Sequence, residues 1–226
     1  MSRRAQRLPR EERLTGIVAA ARAVLETRGY GSATMAEIAH AAGIAEPTLY
    51  KFFASKQELM EAVVGAWYED LIADIEANLA GISDPVAQMR WLIWRHIKTL
   101  DADPGLCRVV LHEVRTLPDY DQSPVRECNR RYTAPFVAAF KAARTQGLVR
   151  ADLKASFIRD AIYGALEHHL WDSVAGKGKL NINGLTDQMM GLFFDGLFAR
   201  DAGDLSGLVR RLELAAERLE PHEKEA

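Results

Sequence analysis

Residues 34–59 constrain the fold more than any other part of this chain. Thr34 and Glu37 have the spacing of a capping box, in which a hydroxyl and a carboxylate satisfy free backbone N–H groups at a helix start. Gly43 can adopt the left-handed conformation that ends a helix, and Pro47 suits the first turn of the next one. The pattern predicts a helix-turn-helix, whose second helix lies in the major groove of DNA.

The apolar positions of this segment predict which side chains face inward. We expect the first helix to end near Ala42 and the second to span about 46–53. The inward-facing residues are expected to be Met35, Ile38, Ala39, Leu49 and Phe53, with Ile44 between the two helices. Thr48, Tyr50 and Lys51 then remain on the outer surface.

A longer stretch, from Arg13 to Leu59, resembles the DNA-binding domain of the TetR family of bacterial transcriptional repressors. The resemblance covers about the first quarter of the chain. It departs from the family at Ala45, where a serine is frequent, and at Glu46, where a basic residue is more usual. The residues that carry it are Ile17, Ala20, Ala21, Gly29, Tyr30, Thr34, Ile38, Ala39, Ala42, Gly43, Ile44, Thr48, Leu49, Tyr50, Phe53, Ser55, Lys56 and Leu59.

The charge distribution agrees with a DNA-binding head. Residues 1–57 hold 9 Lys/Arg against 5 Asp/Glu, whereas the remainder holds 20 against 26. Base edges are expected to be read by Thr48 and Lys51, with Lys51 favouring guanine. The expected phosphate contacts come from Thr34, Tyr50 and Lys56 and from a basic N-terminal arm that includes Arg3 and Arg4.

Helical periodicity dominates the rest of the chain, so we predict an all-α fold. The expected organisation is a three-helix head over residues 1–57 and a helical-bundle body for ligand binding and dimerisation over residues 58–226. A first helix is expected over about 10–28. The expected body helices span about 56–80, 85–100, 104–115, 124–146, 152–174, 183–199 and 205–219.

Two late helices carry small and apolar residues on more than one side, which predicts burial on two sides. Because a helix-turn-helix protein reads two half-sites as a dimer, we expect a homodimer. The resemblance implies that the last two body helices pair with those of the second subunit. The expected interface residues are Ala161, Ala165, His169, Met189, Leu192 and Phe193.

Aromatic and polar side chains cluster on the helices that surround the ligand cavity in the family that this chain resembles. Such cavities are mostly apolar with a few placed polar groups. We therefore expect a small, hydrophobic effector, such as an acyl-CoA or an aromatic compound. The expected ligand-binding residues are Trp91, Trp94, Arg95, His112, Phe136, Phe140, Tyr163, Glu167, His168 and Trp171.

Other function classes find less support. The sequence lacks HExxH, GxSxG and phosphate-loop patterns, so we expect no catalysis, no metal and no cofactor. No apolar run approaches the ~20 residues of a membrane span, and two cysteines without a CxxC fit a reducing cytoplasm. Two alternatives stay open: a metal-dependent enzyme on a helical bundle, for which Glu167-His168-His169 and His112-Glu113 are candidates, and a DNA-binding scaffold without an effector.

Overall fold

The computed structural model describes residues 9–169, 171 and 180–197, with side chains through Phe193. Arg3 and Arg4, the predicted helix at 205–219, and the predicted ends of the two helices before it lie outside these residues. The regular elements within them are helical, as the sequence predicted.

Nine α-helices order the described chain. Their bounds are α1 Arg10–Ser32, α2 Met35–Ala41, α3 Glu46–Leu49, α4 Lys56–Leu79, α5 Pro85–Ala102, α6 Pro104–Arg108, α7 Pro124–Thr145, α8 Ala155–His169 and α9 Ile182–Leu197. A π-helical stretch, Val109–Val114, continues α6, and a 3₁₀ turn, Tyr120–Gln122, precedes α7.

Three of the long helices, α4, α5 and α7, start at a residue whose side chain caps the helix. Ser55, Asp84 and Ser123 each accept a hydrogen bond from the backbone N–H three residues further on, at the starts of α4, α5 and α7. Proline occupies the first turn of α5 and of α7, where a missing N–H leaves no bond unmade. The chain therefore specifies these helix starts locally.

Three elements differ from their predicted bounds. The α3 helix ends at Leu49 and continues as a turn, because Lys51 and Phe52 donate to carbonyls only three residues back. The predicted helix over 104–115 changes from α- to π-helical at Val109. The helix predicted from Asp152 begins at Ala155, since Asp152 pairs instead with Arg150 at 2.7 Å.

A single apolar core joins the head to the body, and α4 passes through it. An apolar stripe on α4 is buried in full: Leu59, Val63, Trp67, Leu71 and Ile75. The α4 helix packs on α1 in the head and on α7 in the body. A movement of α4 would therefore shift contacts in both the head and the body.

Head and body also meet where α6 lies against α1. A Cβ placed on Gly105 would come within 3.0 Å of the Glu26 carbonyl oxygen and 3.2 Å of its Cα. A side chain at this position would therefore require its neighbours to move by a few tenths of an ångström.

Candidate DNA-reading surface and ligand cavity

The turn between α2 and α3 has the geometry that the sequence predicted. Thr34 and Glu37 form both halves of the capping box, and Gly43 has a φ of 66°. The Gly43 N–H donates to the His40 carbonyl and the Ile44 N–H to the Ala39 carbonyl, the bonding of a Schellman motif. This pairing ends α2 and fixes the direction of α3.

The outer side of α3 and of the turn that follows it carries the predicted reading residues. Leu49 and Phe53 are buried beneath it, as predicted. Tyr50 is 49% exposed, Lys51 is exposed and Thr48 is half-buried. Glu46 is also exposed on this helix, so a negative charge lies beside the expected base contacts. The surface offers hydroxyl and ammonium donors suited to base edges and phosphates.

Lys56 has a different place from the one that we predicted for it. Its ammonium group donates to the carbonyl oxygens of Tyr30, Gly31 and Ala33, at 2.7, 3.3 and 2.9 Å. It also lies 4.5 Å from the centre of the Tyr30 ring. An ammonium has three protons, and all three are used, so Lys56 ties α4 to the end of α1 and to Ala33 just after it. Its phosphate contact stays a prediction.

The hydroxyl of Thr34 is similarly engaged. It accepts from the Glu37 N–H at 3.2 Å and lies 3.0 Å from the Glu37 carboxylate. Hydrogen bonds from Thr34 lower the pKa of Glu37, so the carboxylate stays charged. Thr34 therefore orients the start of α2, and its phosphate contact stays a prediction.

A cavity of about 410 Å³ lies in the body, enclosed by α4, α5, the α6–π segment, α7 and α8. Of the predicted ligand residues, Tyr163 and Glu167 line it. Its other apolar and aromatic walls include Trp67, Tyr68, Leu100, Val110, Leu111, Tyr120 and Tyr132. The volume is within the usual range of small-molecule sites.

The remaining predicted ligand residues lie elsewhere. Phe136 and Phe140 are fully buried in the core. Trp91 and Trp94 pack against each other, and the Trp94 indole donates to Asn183 at the start of α9. Arg95 bonds Asp74 and Thr99. The other three lie towards the outside: His112 and His168 are exposed, and the Trp171 ring packs against His112 at a tilt of 57°, with ring centres 4.0 Å apart.

The residues that sequence reasoning missed come mainly from α4 and α7. Trp67 and Tyr68 are adjacent, and Asn129, Tyr132 and Thr133 lie about one turn apart on α7. The aromatic content of α4 was visible in the sequence. However, an apolar stripe on a helix indicates a core position in the first place, and only the fold shows that part of the α4 stripe lines a cavity.

An ion pair and two polar neighbours form the polar centre of the cavity. Arg115 donates to Glu167 at 2.9 Å, which joins the π segment to α8. Asn129 accepts from Arg115 at 3.5 Å and from the Tyr68 hydroxyl at 3.3 Å. The His96 Nδ1 lies 3.0 Å from the Tyr132 hydroxyl, and its ring lies 4.6 Å from that of Tyr163.

Arginines occur on the outer side of the same cavity. Arg126, Arg130 and Arg159 are among its lining residues and lie near the surface. They pair with Asp121, Glu127 and Asp160, at 3.0, 2.8 and 2.7 Å. Because exposed ion pairs of this kind are weak, an anionic ligand can replace the carboxylates at little cost.

Two links run from the cavity walls to the head. Glu113, two residues before Arg115, accepts a hydrogen bond from the Gly31 N–H at 2.7 Å. Trp67 donates to Asp103 at 3.1 Å, and Asp103 accepts from Arg22 of α1 at 2.6 Å. Changes at the cavity can therefore reach α1 through two different side chains.

The two most exposed of the large apolar side chains among the described residues lie on α8 and α9. Phe157 is 63% exposed and Leu192 is 74% exposed. Ala161, Ala165 and Phe193 are half-buried and His169 is exposed, whereas Met189 is buried within its own chain against the body. Met189 is therefore placed in the core of the protomer instead of on its surface.

Within the part of the chain that the structure describes, no three His, Cys, Asp or Glu side chains gather as a metal site would require. No helix in this part is both long and apolar enough to cross a bilayer.

Two family profiles match this geometry. Residues 17–63 match the bacterial regulatory proteins of the tetR family, and residues 83–197 match the tetracyclin repressor-like C-terminal domain. The chain belongs to the TetR family. It is thus a DNA-binding, ligand-responsive transcriptional regulator, as the sequence predicted, and its relatives in this family are regulators rather than enzymes.

Similarity to individual TetR-family proteins extends over both parts. The chain is 39% identical to the transcriptional activator FasR of Mycolicibacterium smegmatis over 89 residues, which are 39% of this chain and 41% of FasR. It is 23% identical to the transcriptional repressor KstR2 of Rhodococcus jostii, over 82% of this chain and 91% of KstR2. It shares the fold of FadR from Bacillus subtilis in complex with stearoyl-CoA, with a TM-score of 0.72, 21% identity, and coverage of 80% and 98%.

Proposed function

We propose that this protein is a cytoplasmic repressor that binds a palindromic operator as a homodimer and is released by a long-chain acyl-CoA thioester. The observation that carries the effector class is the cavity, which combines aromatic walls, a partly buried ion pair and three outer arginines. An acyl-CoA has the matching parts: an apolar chain, a carbonyl group and an anionic phosphate-bearing head. One protein of similar fold, FadR from Bacillus subtilis, is known in complex with stearoyl-CoA.

DNA binding would use the exposed side of α3. Lys51 and Thr48 reach base edges, while Tyr50 and the N-terminal arm around Arg3 and Arg4 contact phosphates. Lys56 and Thr34 hold the head in shape for this task. Two heads are needed to occupy two half-sites, so the repressor acts as a dimer.

The dimer would form through α8 and α9. Phe157 and Leu192 expose large apolar side chains there, and water-exposed apolar patches favour association. Ala161, Ala165 and Phe193 border them, and small residues at such positions allow helices to approach closely.

Effector release would pass through the π segment. A ligand that enters the cavity displaces or reorients Arg115 and Glu167, and Arg115 directly follows the π segment that carries Glu113. Glu113 holds the last turn of α1 through Gly31. For release, the ligand must bind the DNA-free conformation more tightly than the DNA-bound one.

The test selects operators from a random duplex library and then titrates stearoyl-CoA against the complex. We expect one palindromic sequence to be enriched and its affinity to fall about 5- to 150-fold with effector. Gly164 lines the cavity and a Cβ there meets no atom within 4 Å, so Gly164→Phe should fill the cavity without backbone strain. The matched control, Gly164→Ala, adds too little volume to block it.

The outcomes separate the function classes. Gly164→Phe should abolish the response to stearoyl-CoA, whereas Gly164→Ala should retain it. Operator binding that no acyl-CoA changes would favour a DNA-binding scaffold without an effector. Failure to enrich any sequence over random DNA would contradict the repressor. Turnover of a bound thioester would favour an enzyme.

A further inference from the structure

Two buried nitrogen atoms of the cavity-lining side chains lack a hydrogen-bond partner within the described residues. They are Nε2 of His96 and Nε of Arg115. His96 is 6% exposed, and both residues line the cavity. Buried polar atoms without partners are rare in native proteins and call for a physical account.

The proton on His96 can be assigned from its neighbour. Tyr132 is buried, and its hydroxyl lies 3.0 Å from Nδ1 of His96, with Thr99 as a second polar neighbour. We assign the phenol as the donor to Nδ1, which places the single proton of the neutral imidazole on Nε2. Burial, with a smaller contribution from the charge of Arg115, lowers the pKa of His96 to about 3, so the ring is neutral.

Both unpartnered atoms are therefore donors. The Arg115 guanidinium spends its other nitrogens on Glu167 and Asn129, which leaves the Nε–H. Two N–H groups without acceptors, on residues that line the cavity, favour a ligand with an acceptor oxygen rather than a plain hydrocarbon. An ammonium or other donor group would leave both unsatisfied.

We propose that His96 Nε2–H and Arg115 Nε–H bind the acyl carbonyl oxygen of the effector. This assignment rests on the proposed function, because it places the thioester end of an acyl-CoA at the polar centre of the cavity. The chain then packs on Trp67, Tyr68 and Tyr163, and the anionic head extends towards Arg126 and Arg130. A thioester carbonyl and a free carboxylate share this oxygen chemistry.

The carbonyl can be tested with a pair of ligands that differ in that atom alone. Stearoyl-CoA contains the thioester carbonyl, and S-octadecyl-CoA replaces it with a methylene. We expect the wild-type protein to bind stearoyl-CoA about 10-fold more tightly, measured by calorimetry or tryptophan fluorescence. Equal affinities would overturn the assignment without any variant.

Variants then locate the donor. His96→Asn keeps an amide near the position of Nδ1 for Tyr132 but has no atom at Nε2, whereas His96→Gln can place its amide N–H near Nε2. The preference for stearoyl-CoA should fall to about 3-fold or less in His96→Asn and persist in His96→Gln. Arg115→Lys keeps a charge for Glu167 but lacks the second N–H, and should also lose preference. An unchanged preference in His96→Asn and Arg115→Lys would overturn the assignment.

A third probe, stearate, separates this inference from the proposed effector. If both CoA compounds fail to bind while stearate binds and His96→Asn weakens it, the acyl-CoA effector is wrong and the carbonyl assignment holds through a carboxylate. If none of the three binds the wild-type protein, both proposals fall. If all three bind alike, the effector cavity stands and the carbonyl assignment fails.

Discussion

The carboxylate of Glu113 accepts the backbone N–H of Gly31 across 2.7 Å, although the two residues are 82 positions apart. Glu113 lies in the π segment beside the cavity, and Gly31 lies in the last turn of α1, after the kink at Gly29. The bond therefore joins the ligand-binding body to the head at the point where the reading helices begin.

Glu113→Ala should uncouple the two parts. The variant keeps the cavity and the reading surface but removes the acceptor for the Gly31 N–H. The effector should therefore still bind, but it should change the affinity for DNA less than in the wild-type protein. The fold-change in operator Kd caused by stearoyl-CoA should shrink towards one from a starting range of about 5- to 150-fold. Glu76→Ala, at an exposed position of α4, is the control. A full response in Glu113→Ala would assign the coupling to the Arg22–Asp103–Trp67 link instead.

Lys56 and Lys51 should separate stability from DNA contact. Lys56→Met leaves three carbonyl oxygens without their donor, so the free energy of unfolding should fall by about 1–3 kcal/mol. Lys51→Met, at an exposed position, should leave stability within about 0.5 kcal/mol but weaken operator binding. Chemical unfolding and gel shifts measure the two effects. Equal stability of both variants would contradict the role given to Lys56.

Stability should fall as the solution is acidified, because of His96. Its pKa is lowered to about 3 in the folded protein and returns to about 6.5 in the unfolded chain. Between these values only the unfolded chain binds the proton, so the free energy of unfolding falls with decreasing pH by up to about 1.4 kcal/mol per unit. Above pH ~6.5 this contribution is constant.

His96→Gln cannot titrate and should show a shallower pH dependence between pH 6.5 and 5. His40→Gln, which removes an exposed histidine of the head, should keep the wild-type slope. Urea unfolding across this range provides the measurement. Parallel slopes for wild type and His96→Gln would show that His96 is not the responsible group.

Leu192→Glu should give folded monomers. The side chain is 74% exposed in the protomer, so a carboxylate there costs little in folding but opposes burial between subunits. Leu148→Glu, at an exposed leucine after α7, should remain dimeric. Sedimentation at micromolar concentration distinguishes the two. A dimer of Leu192→Glu with wild-type affinity would place the interface elsewhere.

The sequence predicted the head well, since its signals are local. The capping box at Thr34, the left-handed Gly43 and the buried Leu49 depend on residues within one or two turns, and each is found as expected. The role of Lys56 depends on carbonyls some 23 to 26 positions earlier in the chain, which helical periodicity does not reveal.

The cavity was predicted only in part, because a lining residue and a core residue look alike in sequence. Phe136 and Tyr163 are both aromatic residues on amphipathic body helices, yet one is enclosed by the core and the other borders the cavity. The difference depends on how five segments pack around an opening. The π turn at Val109–Val114, which brings Arg115 towards Glu167, likewise has no local sequence signal that we can identify.

The contact at Gly105 has a consequence for how the two parts can evolve. Its missing side chain lets α6 rest directly on the backbone of α1 at Glu26, and the π turn that carries Glu113 follows from the same segment. A larger residue at 105 would press on the α1 backbone at Glu26 and require a shift of a few tenths of an ångström between α6 and α1. Regulators that diverge at this position would have to readjust the spacing on which the bond between Glu113 and Gly31 depends, even where effector and operator are each still bound.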